Sequence, residues 1–136
     1  MEVELKEKLI DAVNSIPGWS WEEVQVSQLH GGVTNENFVV THNNHQSFMK
    51  IFGKGTENFI NRDSAYDAAV QAQNMGITPK VLHYSKNDGV EISEFLDDYR
   101  ASLTSDFSRK DFLEKVIDLY ATFHSGNSLS ETKNVF

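Results

Sequence analysis

The apolar positions along this chain change period several times, and each change marks an element. Across Glu2 to Ser15, Leu5, Leu9, Val13 and Ile16 recur every three or four residues among charges, the stripe of an amphipathic helix. Pro17-Gly18 ends it. Glu23 to Leu29 alternates loosely through Val24, Val26 and Leu29 and predicts a first strand. After a Gly31-Gly32 bend, Asn37 to Thr41 predicts a second strand. The polar turn His42-Asn43-Asn44-His45 then leads into a third, Ser47 to Phe52, so the two form a hairpin. Gly53-Lys54-Gly55 is a break, and Thr56 is placed to cap a helix over Glu57 to Met75. The small or apolar residues of that helix (Ile60, Ala65, Ala68, Ala69, Ala72, Met75) lie along one side, and Gly76 and Pro79 stop it. Lys80 to Tyr84 predicts strand four, Ser85 to Gly89 a hairpin turn, and Val90 to Leu96 strand five. Asp97 to Arg100 is a polar exit. A last helix, Ser108 to His124, carries the stripe Phe112, Val116, Leu119, Tyr120 and Phe123.

This order of elements gives an α+β fold class. Short turns make strands one to three antiparallel, and the helix after strand three is expected to pack on one face of a five-stranded sheet. At 136 residues the chain has the size of one domain. It has no cysteine, which removes disulfides and thiolate metal sites. The first residues lack the basic and apolar regions of a signal peptide, and no run reaches the roughly 18 apolar residues of a membrane span. A soluble cytoplasmic protein with no membrane partner is therefore expected. The net charge of −8 argues against a nucleic-acid surface.

The candidate chemistry lies in the stretch Leu29 to Phe52. A glycine bend bares backbone N–H groups and allows close approach, and Lys50, alone inside an apolar strand, can reach over the same spot. Together they suggest a phosphate site. A solvent-facing hairpin with an incidental lysine accounts for the same residues. The other polar clusters are weaker. His42 and His45 have no third metal ligand nearby, no Ser/His/Asp order supports a hydrolase, and Asp97-Asp98 reads as a solvated linker.

Several segments, in order, resemble the choline/ethanolamine kinase and aminoglycoside phosphotransferase family, whose fold is protein-kinase-like. Leu29-His30-Gly31-Gly32-Val33-Thr34-Asn35 resembles the Gly-Gly-x-Ser/Thr-Asn nucleotide loop of choline kinases, not the glycine loop of protein kinases. Phe48 to Gly53 with Gly55-Thr56 resembles strand three and its turn, and Ile60-Asn61-Arg62 resembles the start of the long helix. Gly76-Ile77-Thr78-Pro79-Lys80-Val81 resembles the step into strand four. Gly89 to Leu96 resembles strand five and the hinge, and Leu119 to Ser125 a helix ending near Leu-His.

The resemblance implies a kinase-like N-terminal nucleotide-binding lobe over residues 1–96, followed over 97–136 by a linker and the first helix of a C-terminal lobe. It implies ATP with Mg²⁺ as cofactors and a small-molecule alcohol such as choline as acceptor; an aminoglycoside or a thiamine-type compound is the alternative. Backbone groups of Gly31, Gly32, Val33, Thr34 and Asn35 would lie over the triphosphate, Lys50 would hold the α- and β-phosphates, and the Glu94 carbonyl and Leu96 N–H would meet the adenine. Two departures stand out. The family's glutamate partner for the strand-three lysine falls at Ala65, so Lys50 is expected to lack its usual anchor. The His-x-Asp-x-x-x-x-Asn catalytic loop and the metal-binding aspartate are absent; in the family they lie in a lobe that would begin where this chain stops. The chain is accordingly expected to be inactive by itself, to leave the magnesium ligands to the missing lobe, and to self-associate through the face that lobe would cover. A non-catalytic binding domain derived from the lobe is the rival reading.

Overall fold

The structure, a computed structural model, describes residues 3–30 and 34–129. It divides into two compact units, Met1–Arg62 with Val81–Phe95, and Asp63–Lys80 with Leu96–Phe136.

The first unit holds helix α1 (Val3–Asn14) and strands β1 (Val24–Leu29), β2 (Asn35–His42), β3 (His45–Phe52), β4 (Val81–Ser85) and β5 (Val90–Glu94). The strands form one antiparallel sheet in the order β1-β2-β3-β5-β4. The five expected strands are therefore present, each with bounds shifted by a few residues. The β2–β3 turn is tight because Asn43 and Asn44 both take positive φ, 49° and 62°, the pair of left-handed residues that lets a two-residue turn match strand twist. The β4–β5 turn closes on Gly89, also at positive φ.

One face of the sheet is buried by α1. Leu9 and Val13 are fully buried, with Ala12, against Phe38 and Val40 of β2, Met49 and Ile51 of β3, and Val90 and Ile92 of β5. The stripe read from the sequence thus finds its partner. The other side chains of β3, Phe48, Lys50 and Phe52, point to the opposite face, because strand residues alternate. Phe52 is buried there too.

The helix expected over Glu57–Met75 is broken in two. A 3₁₀ turn, Thr56–Asn58, comes first, and helix α2 runs Arg62–Asn74. Thr56 does not cap forward; its hydroxyl donates back to the Gly53 carbonyl at 2.7 Å, closing a turn entered through Gly55 at φ 80°. The second unit contains α2 beyond its first residue, a 3₁₀ segment Thr104–Ser108, and helix α3 (Lys110–His124). Within it Arg100 forks onto both oxygens of Asp106 at 2.7 and 2.8 Å, and Phe107 meets Phe112 edge-on.

Candidate functional site

β3 carries Lys50 because Met49 and Ile51 on either side are committed to the core, which leaves position 50 to the far face. On that face the ladder places Asn37 of β2 and Glu91 of β5 directly opposite Lys50, and Tyr84 of β4 beyond Glu91. One row across four strands therefore reads Asn37, Lys50, Glu91, Tyr84. The Lys50 ammonium lies 3.0 Å from Glu91 Oε2, with the two side chains 25% and 13% exposed. This corrects the expectation that Lys50 has no carboxylate partner. The partner comes from β5, and Ala65 lies in α2, in the second unit.

Phe52, two residues along, anchors a second layer. Lys50 Nζ is 5.2 Å from its ring centre and the Arg62 guanidinium carbon 5.4 Å, so two cations use one aromatic quadrupole. Tyr84 meets Phe52 edge-on at 6.2 Å, and its hydroxyl donates to the Arg62 carbonyl at 2.6 Å. Arg62 also donates to the Lys86 carbonyl at 2.6 Å and lies over Gly89, where an added Cβ would meet its guanidinium at 3.0–3.2 Å.

Of the residues singled out for the nucleotide loop, Gly31, Gly32 and Val33 lie outside the described residues. Thr34 is exposed, and its carbonyl accepts the Gly53 N–H at 3.0 Å, which ties the foot of the loop to the end of β3. Asn35 opens β2 opposite Phe52, on the Lys50 face, and its side-chain oxygen is buried without a hydrogen-bond partner. Thr34, Asn35 and Lys50 are thus at one end of the sheet. Glu94 ends β5, exposed, opposite Ser47. Leu96 belongs to the second unit, where its carbonyl accepts from the Tyr99 N–H at 3.4 Å.

Alternation along β3 already placed Phe48 and Phe52 on the Lys50 face, as observed; sequence reasoning missed Glu91 and Arg62 as members of it. Alternation alone put Glu91 outside, between the inward Val90 and Ile92, but its row depends on the β3–β5 register. Among the described residues no three His, Asp or Glu side chains come together as a metal site.

Comparison with solved structures places the fold. LicA in complex with AMP superposes with a TM-score of 0.78 over 98% of this chain, at 22% identity. The chain has the fold of the choline/ethanolamine kinases. The architecture is that of a kinase-like N-terminal lobe. A choline/ethanolamine kinase family protein from Mesorhizobium loti matches 90% of the chain with a TM-score of 0.68 at 22% identity. Choline kinase LicA from Streptococcus pneumoniae matches 84% with a TM-score of 0.65 at 26% identity. This kinase-like chain spans less than half of each of these structures, 46%, 39% and 39% of their lengths. No protein-family model and no curated protein matches the sequence.

Proposed function

We infer that this chain is the nucleotide-binding lobe of an ATP-dependent small-molecule kinase whose acceptor is an alcohol such as choline. The observation that carries the reading is Lys50. It is a shielded ammonium on the sheet face not covered by α1, at the end of the sheet where Thr34 and Asn35 enter β2. A preorganised cation of this kind stabilises phosphate charge without rearranging when the ligand arrives. The neighbour crystallised with AMP supports an adenine nucleotide as the ligand. On this reading residues 1–96 form the lobe, and 97–136 form the linker and the first helix of a C-terminal lobe. Gly31 to Asn35 lie over the phosphates, and Glu94 and Leu96 offer backbone groups to the adenine. Magnesium and the acceptor are held by groups outside this chain.

Titrating ATP into the isotope-labelled 136-residue chain tests the reading by NMR. Amide shifts are expected at Thr34, Asn35, Lys50, Glu94 and Leu96, with much weaker binding in Lys50→Met. Binding that Lys50→Met leaves intact, or shifts confined to other residues, would overturn it.

A further inference from the structure

Lys50 and Glu91 face one another across the β3–β5 ladder, 3.0 Å apart, and both side chains are largely shielded from water. The Phe52 ring, 5.2 Å from the same ammonium, bounds it from a second direction. An ammonium has three donors, and a carboxylate on one side leaves others for a further acceptor. Lysine has a long flexible stem, so a lysine that wanders must be ordered when ligand binds, at a cost to affinity; one already held is not charged that cost again.

We propose that Glu91 is the positioning residue of Lys50: its carboxylate fixes the ammonium above the sheet so that the remaining donors meet a nucleotide phosphate. This rests on the nucleotide-binding reading above. Glu91 touches no phosphate and acts only through the lysine. A simple charge argument predicts the opposite sign, since a carboxylate near a phosphate repels it and its removal would tighten binding. The sign of the effect therefore separates an anchor from a competitor.

The experiment is calorimetric titration of ATP into the 136-residue chain and into Glu91→Gln, Glu91→Asp, Lys50→Met and the Lys50→Met/Glu91→Gln double variant. Glu91→Gln keeps size and removes charge; it is expected to weaken ATP binding by about two- to fivefold. Glu91→Asp, which keeps the charge on a shorter stem, is expected to fall between it and the unaltered chain. In the Lys50→Met background, Glu91→Gln is expected to change nothing further, because a residue that acts through another has no effect once that one is gone. If Lys50→Met weakens binding while Glu91→Gln tightens it or leaves it unchanged, the anchor is overturned and the nucleotide site stands. An equal loss on Glu91→Gln with or without Lys50 also overturns it, since Glu91 would then be merely structural. If the unaltered chain binds no ATP, the nucleotide reading fails and this proposal fails with it.

Discussion

The amide of Gly53 donates to the carbonyl of Thr34 at 3.0 Å, and a Cβ on Gly53 would lie 2.1 Å from that same oxygen. The end of β3 and the start of β2 approach so closely that only a residue without a side chain fits between them. Nothing soft can give way, because the obstructing atom is backbone.

Gly53→Ala is therefore expected to lower stability by about 1–3 kcal/mol, the usual range for overpacking, and to disturb the amide signals of Thr34 and Asn35. Gly126→Ala makes the control. Its added Cβ would also fall 2.1 Å from a neighbour, but that neighbour is the terminal methyl of Met75, which can swing aside. Denaturant melts of the two variants should rank Gly53→Ala as the more damaging.

The core test is Leu9→Ala. Leu9 is fully buried where α1 meets the sheet, so truncation removes apolar contact and leaves a cavity. A loss of about 2–5 kcal/mol is expected in urea unfolding. A loss below about 1 kcal/mol would mean that α1 does not hold that face.

The β2–β3 turn offers a gain. Asn44 sits at φ 62°, where glycine has no steric penalty and where the second residue of this turn type is commonly glycine. Asn44→Gly is expected to leave stability unchanged or raise it by up to about 1 kcal/mol, whereas Asn44→Val should lower it by about 1–2 kcal/mol. Thermal melts that put valine above glycine would contradict the turn geometry.

Asp106 predicts a pH dependence. The Arg100 guanidinium, then the Leu103 N–H, hold its carboxyl well below the usual carboxylate range. A group whose pKa is depressed by folding adds stability above its unfolded value, about 3.9, and loses it as pH falls from there toward the folded value. Asp106→Asn should be less stable than the unaltered chain at neutral pH, with the difference shrinking as the solution is acidified below about pH 4. Equal melting points at neutral pH, or a gap that widens in acid, would show that the pair contributes nothing.

Catalysis gives the last prediction. If the chain is the nucleotide-binding lobe proposed above, the purified 136-residue chain is expected to transfer no phosphate from ATP to choline, because its sequence carries no His-x-Asp-x-x-x-x-Asn loop to position the acceptor hydroxyl. Turnover that disappears in Lys50→Ala would refute this.

How much was legible in the sequence depended on the range of each interaction. The β2–β3 hairpin was legible because its signal is local: alternation on both sides of two asparagines. The apolar stripe of α1 was legible as a stripe, but its partner was not, since Leu9 joins Met49 and Ile92 in one buried cluster only after the sheet closes. The helix expected from Glu57 fails for a local reason: Thr56 has the chemistry of a cap but bonds backward to Gly53, and helix begins only at Arg62. The Lys50–Glu91 pair was beyond reach, because it requires β5 to pair with β3 rather than β4 alone, a choice no window of sequence contains.

Along β3, Ser47, Met49 and Ile51 answer to folding, while Phe48 and Lys50 point the other way. Point changes at the outward positions can alter the outer face and leave the interior untouched, so the two sets can vary independently. Changes of length are a different matter. One residue gained or lost inside the strand would exchange the two sets, driving Lys50 into the hydrocarbon and Met49 out of it. The strand should therefore tolerate substitution at alternate letters and almost no insertion or deletion.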